Sequence, residues 1–335
     1  MSTTTPTTPA TPTAPAPTRE LGRTGIVVPA VALGCMGMSW GYDQEGRDDE
    51  RSIAVVHRAL DLGRTLLDTA DQYGPFTNEA LLGRALAGPH RARAVLATKG
   101  GLVVDDPATH RSRRNGRPEH LRAALEASLT RLRTDHVDLY QLHRVDPAVP
   151  LEETWGAMAE LVAEGKARRL GLSEVSVDEI ERAAAIHPVT SVQSELSLWS
   201  REPLADGVLD HCARAGITFL AYAPLGRGFL SGAIRSAADL PAVDGRHATP
   251  RFSAEAIAAN QPIADRVREV AARHGVSGAR VALAWVLARA GNVVALPGSK
   301  TLAHLEDNVR AVELVLTEED TAALSALPAA RGTRY

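Results

Sequence analysis

Short apolar runs alternate with longer amphipathic segments along most of the chain. The apolar runs have the length and composition of buried strands, and the segments that follow them repeat apolar residues with a helical period. We predict eight strands, at Val31–Gly34, Thr65–Leu67, Ala94–Ala97, Val137–Leu142, Arg169–Leu172, Ser191–Gln193, Thr218–Ala221 and Val293–Leu296. Helices are predicted at Asp48–Gly63, Asn78–Ala87, Pro118–Leu132, Leu151–Gly165, Val177–His187, Pro203–Gly216, Ile263–His274, Gly278–Ala290 and Leu302–Val312.

This alternation indicates the fold class. Eight short strands that are each followed by a helix predict an α/β fold with a parallel sheet, and in one domain of this size that is the (β/α)8 TIM barrel. The stretch RELGRTGIVVP, before the first strand, predicts an N-terminal β-hairpin that turns at Gly22–Gly25. A doubly wound sheet is the alternative, but no G-x-G-x-x-G motif follows the first strand. The longest insertion, Gly226–Pro262, has the length of a functional or mobile loop.

Composition and charge restrict the partners and the cellular compartment that we expect for the chain. Residues 1–17 are almost entirely Thr, Pro and Ala, which predicts a disordered tail ahead of one domain at 18–335. The net charge of −3 argues against nucleic acid or an anionic membrane as a partner. No apolar run reaches the roughly 20 residues that span a bilayer, and no secretory signal is recognisable. The two cysteines suggest neither a disulfide framework nor a zinc site, so we expect a cytoplasmic protein.

Polar side chains follow three consecutive predicted strands. Asp68 ends the second strand, with Tyr73 five residues later, Lys99 ends the third, and His143 ends the fourth. In a TIM barrel the site lies at the C-terminal ends of the strands, so these four groups would share one mouth. Taken singly, each has a simpler interpretation as a turn, capping, solvated or core residue. Their joint occurrence at successive strand ends favours a chemical role.

The grouping suits proton donation. A phenol has a pKa near 10, and a cation beside it lowers that pKa. Lys99 can supply the cation, Asp68 can fix the ammonium, and His143 can orient a carbonyl oxygen. Tyr73 would then be a general acid for a carbonyl that accepts a hydride. No nucleophile elbow, P-loop or metal-ligand spacing competes with this interpretation.

Seven motifs, in order, resemble those of the aldo-keto reductases: LLDTADQYG, LATKG, DLYQLH, GLSE, VQSELSLWSR, AYAPLGRGFLSG and LPGSK. The likeness runs from about Leu21 to Leu327 and is strongest to the microbial and plant branch that includes pyridoxal reductases and perakine reductase. It implies a (β/α)8 barrel that reduces aldehydes or ketones with NADPH. It also implies that Asp68, Tyr73, Lys99 and His143 form the catalytic tetrad, with Tyr73 as proton donor.

The resemblance further implies a set of cofactor-binding residues. Those near the nicotinamide would be Gly34, Cys35, Met36, Asp68, Ser173, Glu174, Gln193 and Tyr222, and those over the pyrophosphate would be Pro224, Leu225, Gly226 and Gly228. The adenosine phosphate would meet Gly298, Ser299, Lys300, His304, Asp307 and Asn308. Ser299 and Lys300 precede a predicted helix, where backbone N–H groups, a hydroxyl and a positive charge can bind phosphate.

Two residues depart from the common family pattern. Glu174 stands where many members have Asn, and His304 stands where many have Arg, which leaves Lys300 as the main fixed charge for a 2′-phosphate. We expect NADPH to be preferred, with NADH as a weaker alternative. Trp40 and Tyr42 are candidates for the wall of a substrate pocket. The basic loop at residues 110–120 is predicted to be a solvated mobile loop that can also steer anions.

The sequence leaves three functions open. The first is a general reductase for a small carbonyl substrate. The second is a biosynthetic ketoreductase with one elaborate substrate, such as a sugar or polyketide ketone. The third is a non-catalytic NADP-binding regulatory subunit, because the potassium-channel β subunits share this barrel and fold does not fix function.

Overall fold

The structure, a computed structural model, describes residues 17–43, 45–63, 65–107, 109 and 111–334. Its central element is an eight-stranded sheet in which every neighbouring pair is parallel. The strands are β1 (Leu33–Gly34), β2 (Thr65–Asp68), β3 (Ala94–Gly100), β4 (Leu139–Leu142), β5 (Leu170–Ser173), β6 (Ser191–Glu195), β7 (Thr218–Tyr222) and β8 (Val293–Leu296). They lie side by side in chain order from β1 to β8.

The sheet closes on itself between its first and last strands. Parallel bridges join Val31 to Ala295 and Gly34 to Gly298. The Gly34 N–H donates to the carbonyl of Pro297 at 3.1 Å, and a Cβ at Gly34 would lie 3.2 Å from the carbonyl oxygen of Leu296. Glycine therefore suits the seam, where two backbones approach closely. The predicted (β/α)8 barrel is confirmed.

Helices surround the barrel and form the crossover connections that parallel strands require. They are α1 (Asp49–Asp61), α2 (Thr77–Ala85), α3 (Pro118–Leu132), α4 (Leu151–Ala163), α5 (Val177–Ala184), α6 (Glu202–Ala205), α7 (Val208–Ala215), α8 (Ala254–His274), α9 (Gly278–Leu287), α10 (Leu302–Val309) and α11 (Glu318–Ser325). Helix α3 has the predicted bounds because Pro118 suits the first turn. Helix α5 begins at a capping box formed by Ser176 and Glu179.

Two apolar layers hold the barrel together. The larger one lies between strands and helices, and it includes Trp155, Phe219 and Trp285. The smaller one fills the barrel interior with residues such as Leu66 and Leu220. Because the strands are buried on both faces, their sequences are continuous apolar runs, which explains why the runs were recognisable.

The N-terminal hairpin is confirmed and closes the floor of the barrel. Its strands are Thr18–Glu20 and Val27–Pro29, paired antiparallel. The Gly22 N–H donates to the hydroxyl of Thr218 at 2.6 Å, and Leu21 packs with the barrel interior. Thr218 is the first residue of β7, so this hairpin covers the N-terminal ends of the strands, opposite the candidate site.

Three regions differ from the prediction. The basic stretch at residues 110–120 was expected to be a loop, but Leu102–Asp106 and Arg111–Arg114 pair as an antiparallel hairpin, which we call the arginine hairpin. The helix predicted at Pro203–Gly216 is divided into α6 and α7, because Gly207 adopts a φ of +81°. Helix α8 begins at Ala254, before the predicted end of the insertion, and contains Pro262 in its interior.

The remaining predictions concern the N-terminal tail, the cysteines, membrane-spanning helices and the cellular compartment. The predicted disordered tail lies outside the described residues except for Pro17. Both cysteines, Cys35 and Cys212, are buried and unbonded to each other. Among the described helices, we find none with the length and hydropathy required to traverse a bilayer. The cytoplasmic compartment stays a prediction.

Candidate active site

Lys99 is the centre of a compact cluster at the C-terminal ends of β2 and β3. Its Nζ lies 2.6 Å from Asp68 Oδ1, 2.9 Å from the carbonyl oxygen of Thr69 and 3.2 Å from the Tyr73 hydroxyl. The Lys99 side chain is completely buried. An ammonium has three N–H donors, and these three oxygens can accept all of them.

The local fold sets this geometry. Asp68 ends β2, and Lys99 is next to the last residue of the adjacent β3, so both emerge at the same edge. A tight turn then brings Tyr73 back over Lys99. The Asp71 N–H donates to the carbonyl of Lys99 at 3.2 Å, and the Phe76 N–H donates to the carbonyl of Asp71 at 2.9 Å.

Burial and charge act in opposite directions on the two titratable partners. Burial raises the pKa of the Tyr73 phenol above its usual value, and the nearby Lys99 charge only partly offsets this. Burial alone would lower the pKa of Lys99, but Asp68 and Tyr73 outweigh it and raise that pKa. The sequence led us to expect a lowered phenol pKa. That expectation is wrong, because desolvation of the Tyr73 phenol outweighs the effect of the Lys99 charge. At neutral pH the cluster holds a charged ammonium and a protonated phenol.

His143 and Trp40 complete the surroundings of the phenol. The His143 ring meets the Tyr73 ring edge-on, with centroids 5.9 Å apart, and the Trp40 ring centroid also lies 5.9 Å from that of Tyr73. Burial lowers the pKa of His143 well below its usual value, and Lys99 and Arg144 lower it further. His143 is therefore a neutral imidazole at physiological pH. Its Nδ1 is buried and has no hydrogen-bond partner within the described part of the chain.

Two glutamines hold the other oxygen of Asp68. Gln193 Nε2 donates to Asp68 Oδ2 at 2.8 Å, and Gln141 Nε2 donates to the same oxygen at 3.1 Å. Both side chains are buried. Because Lys99 takes one carboxylate oxygen and the glutamines take the other, Asp68 is fixed in one orientation. Gln141 was not predicted as a site residue, since a single glutamine inside an apolar strand carries no motif.

Comparison with known proteins identifies the family to which the chain belongs. A sequence model of the Aldo/keto reductase family matches residues 30–328. The chain is 39% identical to a protein named probable aldo-keto reductase 1 of Glycine max over 301 residues, which are 90% of this chain and 86% of that protein. This chain belongs to the aldo/keto reductase family.

Solved aldo-keto reductase structures share the fold. A glycerol dehydrogenase from Gluconobacter oxydans superposes with a TM-score of 0.80 at 31% identity, over 92% of this chain and 93% of that one. A thermostable aldo-keto reductase, crystallised with the inhibitor epalrestat, superposes with a TM-score of 0.74 at 32% identity, over 92% and 98% of the two chains. The predicted family is thus confirmed, and membership of this family makes the protein an oxidoreductase.

The loop after β7 contains the residues predicted to lie over the pyrophosphate. Ala223, Gly226, Arg227 and Gly228 all have positive φ, between +47° and +95°. A Cβ at Gly226 would lie 3.0 Å from the buried Trp199 ring, so a side chain there would collide with that ring. The Gly226 N–H donates to the Ala223 carbonyl at 2.9 Å and the Gly228 N–H donates to the Leu225 carbonyl at 3.1 Å, so both groups close turns within this loop. Pro224 and Leu225 lie in the same loop.

The segment after β8 joins the barrel seam to α10. Gly298 bridges to Gly34, and the Ser299 hydroxyl accepts a hydrogen bond from Asn308 at 3.1 Å. Lys300 is ion-paired to Asp43 at 2.9 Å. Gly298, Ser299 and Lys300 lie just before the start of α10, where an anion would be stabilised by the helix dipole.

Two other predicted phosphate-site residues differ in what they contact. His304 is exposed on the first turn of α10, and its backbone N–H donates to the capping Thr301 hydroxyl. The Asp307 carboxylate is paired with Arg280 of α9 at 2.7 Å and hydrogen-bonded to Ser277. Arg280 therefore adds a second cation beside this segment, which sequence reasoning missed because the two residues lie on different helices.

Three of the residues predicted near the nicotinamide, Gly34, Cys35 and Gln193, contact Asp68 or pair with it. Gly34, Cys35 and Met36 follow β1, and the Cys35 N–H donates to the carbonyl of Asp68 at 2.9 Å. Ser173 ends β5, and its hydroxyl accepts from Arg144 at 3.0 Å. Cys35 is buried at the seam side of the mouth. These groups leave Asp68 at the point where the predicted catalytic and cofactor residues meet.

Glu174 is held by an ion-pair network rather than standing free. Its φ is +54°, and its Oε1 accepts from the Glu195 N–H at 2.9 Å. Arg334, close to the end of the chain, lies 3.2 Å from Glu174 Oε2, and Tyr222 is a further hydrogen-bond partner of this carboxylate. Burial raises the pKa of Glu174, but the Glu195 N–H and Arg334 outweigh it and lower that pKa. Arg334 was not predicted, because it lies 160 residues from Glu174 along the chain.

The two predicted pocket residues have different surroundings. Trp40 packs beside Tyr73, together with Ala70 and Met36. Tyr42 lies under the guanidinium of Arg246, which is 5.0 Å from its ring centroid. Trp40 therefore packs against the Tyr73 ring, while Tyr42 belongs to the contact between the loops after β1 and β7.

The described residues place no group of three or more His, Cys, Asp or Glu side chains in an arrangement for a metal ion. The cluster around Lys99 can nevertheless do acid–base chemistry, since it combines a buried cation, a protonated phenol and a neutral imidazole.

Proposed function

We propose that the chain reduces an aldehyde or ketone to an alcohol with NADPH, and that Tyr73 donates the proton. The observation that carries the proposal is the position of Lys99, whose Nζ lies within hydrogen-bond distance of both Asp68 and the Tyr73 hydroxyl. Such a chain of contacts links the proton donor to a fixed, charged pair at the barrel mouth.

Each member of the cluster has a distinct task in this proposal. Tyr73 protonates the carbonyl oxygen as it becomes an alkoxide. Lys99 stabilises the phenolate that remains, since a buried cation at this distance favours the anion. Asp68 holds the Lys99 ammonium in place, and Gln141 and Gln193 hold Asp68. The rigid support keeps the donor in one geometry, as efficient general acids require.

His143 orients the substrate. A neutral imidazole carries one N–H donor, which can hydrogen-bond the carbonyl oxygen beside the Tyr73 hydroxyl. Because the pKa of His143 lies well below its usual value, the ring does not add a second positive charge beside Lys99. Two donors on one oxygen stabilise the negative charge that develops there.

The cofactor would be held by three groups of this chain's own residues. Pro224, Leu225, Gly226 and Gly228 would lie over the pyrophosphate, and Ser299 and Lys300 would hold the adenosine phosphate. Gln193, Ser173, Glu174 and Tyr222 would surround the nicotinamide. When bound, the nicotinamide supplies the hydride that adds to the carbonyl carbon.

The apolar side chain beside the proton donor is relevant to the choice of substrate. Trp40 offers an apolar ring next to Tyr73, which favours substrates with an aromatic or other apolar group on the carbonyl carbon. A panel of aromatic aldehydes, pyridoxal, sugars and ketones tests this point. Turnover of many simple aldehydes supports a general reductase, and turnover of one elaborate ketone supports a biosynthetic enzyme.

The decisive experiment replaces the phenol. We expect Tyr73→Phe to lower the rate of aldehyde-dependent NADPH oxidation by at least about 100-fold, because general acid catalysis contributes about 10²–10⁴-fold. Tyr140→Phe is the matched control, since Tyr140 is a fully buried tyrosine whose hydroxyl donates to the Leu121 carbonyl, outside the cluster. NADPH affinity should be unchanged in both variants. Equal rates for wild type and Tyr73→Phe would refute the assignment, and cofactor binding without turnover of any substrate would support a regulatory subunit.

A further inference from the structure

Lys300, the main cation of the proposed phosphate site, already has an anion bound to it. The Asp43 carboxylate, from the loop after β1, lies 2.9 Å from Lys300 Nζ, and the Asp43 carbonyl oxygen lies 3.3 Å from the same atom. Lys300 lowers the pKa of Asp43, so the carboxylate is ionised at neutral pH. The site therefore binds an anion supplied by the chain itself.

The loop holds Asp43 in this position. The Asp43 N–H donates to Asp244 Oδ2 at 3.1 Å, and the Gly46 N–H donates to Asp43 Oδ1 at 3.2 Å. One carboxylate oxygen is thus anchored within its own loop, while Oδ2 faces Lys300. Asp43 has a φ of +41°, a left-handed conformation that Asp and Asn adopt more readily than other side chains.

The same loop is joined to the loop after β7. The Gly245 N–H donates to the carbonyl of Gly41 at 3.1 Å, and Arg246 covers the Tyr42 ring. Asp244, the partner of the Asp43 backbone, is buried and paired with Arg246 at 2.7 Å. Asp43 is therefore part of a connected bridge above the segment that carries Lys300, and it is not a side chain that meets Lys300 by chance.

We propose that Asp43 is a specificity-determining residue that competes with the 2′-phosphate of NADPH for Lys300. The inference rests on the proposed function, in which this segment binds the adenosine phosphate. One ammonium cannot serve both anions equally, and a phosphate dianion beside the Asp43 carboxylate is repelled. NADH lacks the 2′-phosphate, so it leaves the Asp43–Lys300 pair intact. A carboxylate can also accept a hydrogen bond from a free ribose 2′-hydroxyl, as acidic residues do in other NAD sites.

The expected size of the effect follows from exposure. The Lys300 and Asp43 side chains are 24% and 34% exposed, so their pair is partly screened by water. Removing the Asp43 charge should therefore tighten NADPH binding by about 3- to 10-fold and leave NADH binding unchanged or weaker. The ratio of the two dissociation constants is the quantity that Asp43 sets.

The experiment compares wild type with Asp43→Asn, which retains the shape of the side chain and tolerates its positive φ. Dissociation constants of NADPH, NADH and 2′,5′-ADP are measured by titration calorimetry, with no substrate present. Asp105→Asn is the control, since Asp105 forms an ion pair with Arg113 on the arginine hairpin. We expect Asp43→Asn to tighten NADPH and 2′,5′-ADP only, and Asp105→Asn to change none of the three.

A second background separates competition from other causes. In Lys300→Met, Asp43→Asn should give a smaller preferential gain for NADPH than in the wild-type background, because the shared cation is absent and only the direct repulsion between Asp43 and the phosphate is removed. Equal gains for NADPH and NADH, no gain at all, or a preferential gain of undiminished size in Lys300→Met would overturn the inference while leaving the reductase proposal intact. Failure of wild type to bind either dinucleotide would instead refute the proposed function and, with it, the role of Asp43.

Discussion

Asp71 is buried two residues before the proposed proton donor and is expected to make the stability of the fold depend on pH. The residue is only 4% exposed, and its Oδ1 has no hydrogen-bond partner among the residues that the structure describes. Burial raises the pKa of this carboxyl to about 8, and Glu79 adds to the effect, while the Gln72 N–H, Arg131 and Lys99 oppose it. Folded Asp71 is therefore mainly protonated at pH 7, whereas in the unfolded chain it is ionised.

The sign and size follow from proton linkage. Since the folded state binds the proton more tightly, stability is fully present below the unfolded pKa near 3.8 and is lost as the pH rises through about 8. Each pH unit in this window changes the free energy of unfolding by about 1.4 kcal/mol. At pH 7 the loss relative to a permanently neutral side chain therefore approaches about 4 kcal/mol.

Asp71→Asn tests this reasoning, because Asn has the shape of the protonated acid and does not ionise. The free energy of unfolding is measured by urea denaturation from pH 5 to 9, with fluorescence and circular dichroism required to give coincident transitions. We expect the advantage of Asp71→Asn over wild type to grow up to pH 8 and then to level off. Contributions from other titrating groups are common to both proteins and cancel in the difference. Parallel curves for the two proteins would refute the reasoning.

Two further predictions concern a close packing contact and a buried ion pair. A Cβ at Gly100 would collide with the Tyr140 hydroxyl and lie 3.1 Å from its Cζ, so Gly100→Ala should destabilise the fold by about 1–3 kcal/mol. In a double-mutant cycle of urea midpoints, Tyr140→Phe should recover part of that loss. Simple additivity of the two substitutions would show that the two sites do not collide. Asp320 is buried and accepts from Arg273 and from His274 at 2.7 Å, which hold the pKa of its carboxyl well below its usual value. Asp320→Asn should therefore cost about 2 kcal/mol at pH 7, and because the wild-type contribution is lost as the pH falls below about 4, the difference should narrow in acid; a cost independent of pH would contradict the ion-pair explanation.

Much of the barrel was predictable because its parallel strands are buried on both faces. Continuous apolar runs such as Val293–Leu296 contrast with the amphipathic helices, so each element carries its own signal. The arginine hairpin carries no such signal, since Arg111–Arg114 has no apolar face. Its strands were missed because cross-strand pairing, and not a buried face, defines them.

The residues of the candidate site also divide into those that a strand end indicates and those that only contacts between distant segments define. Asp68, Lys99 and His143 were found because each follows an apolar strand, and a strand end fixes where the side chain emerges. Gln141 and Arg334 were missed because their roles depend on contacts between distant segments. The direction of the Tyr73 pKa was also missed, because a sequence displays the neighbouring cation but not the degree of desolvation.

The closed floor of the barrel has a practical consequence for attaching this protein to a surface. The N-terminal hairpin contacts Thr218 at the end of the barrel away from the mouth, whereas Arg334 is ion-paired beside the mouth with Glu174. A tether joined ahead of Thr18 would orient an immobilised molecule with its mouth toward the solution. A tether joined beyond Arg334 would begin at the rim, where it would obstruct the opening of the proposed active site.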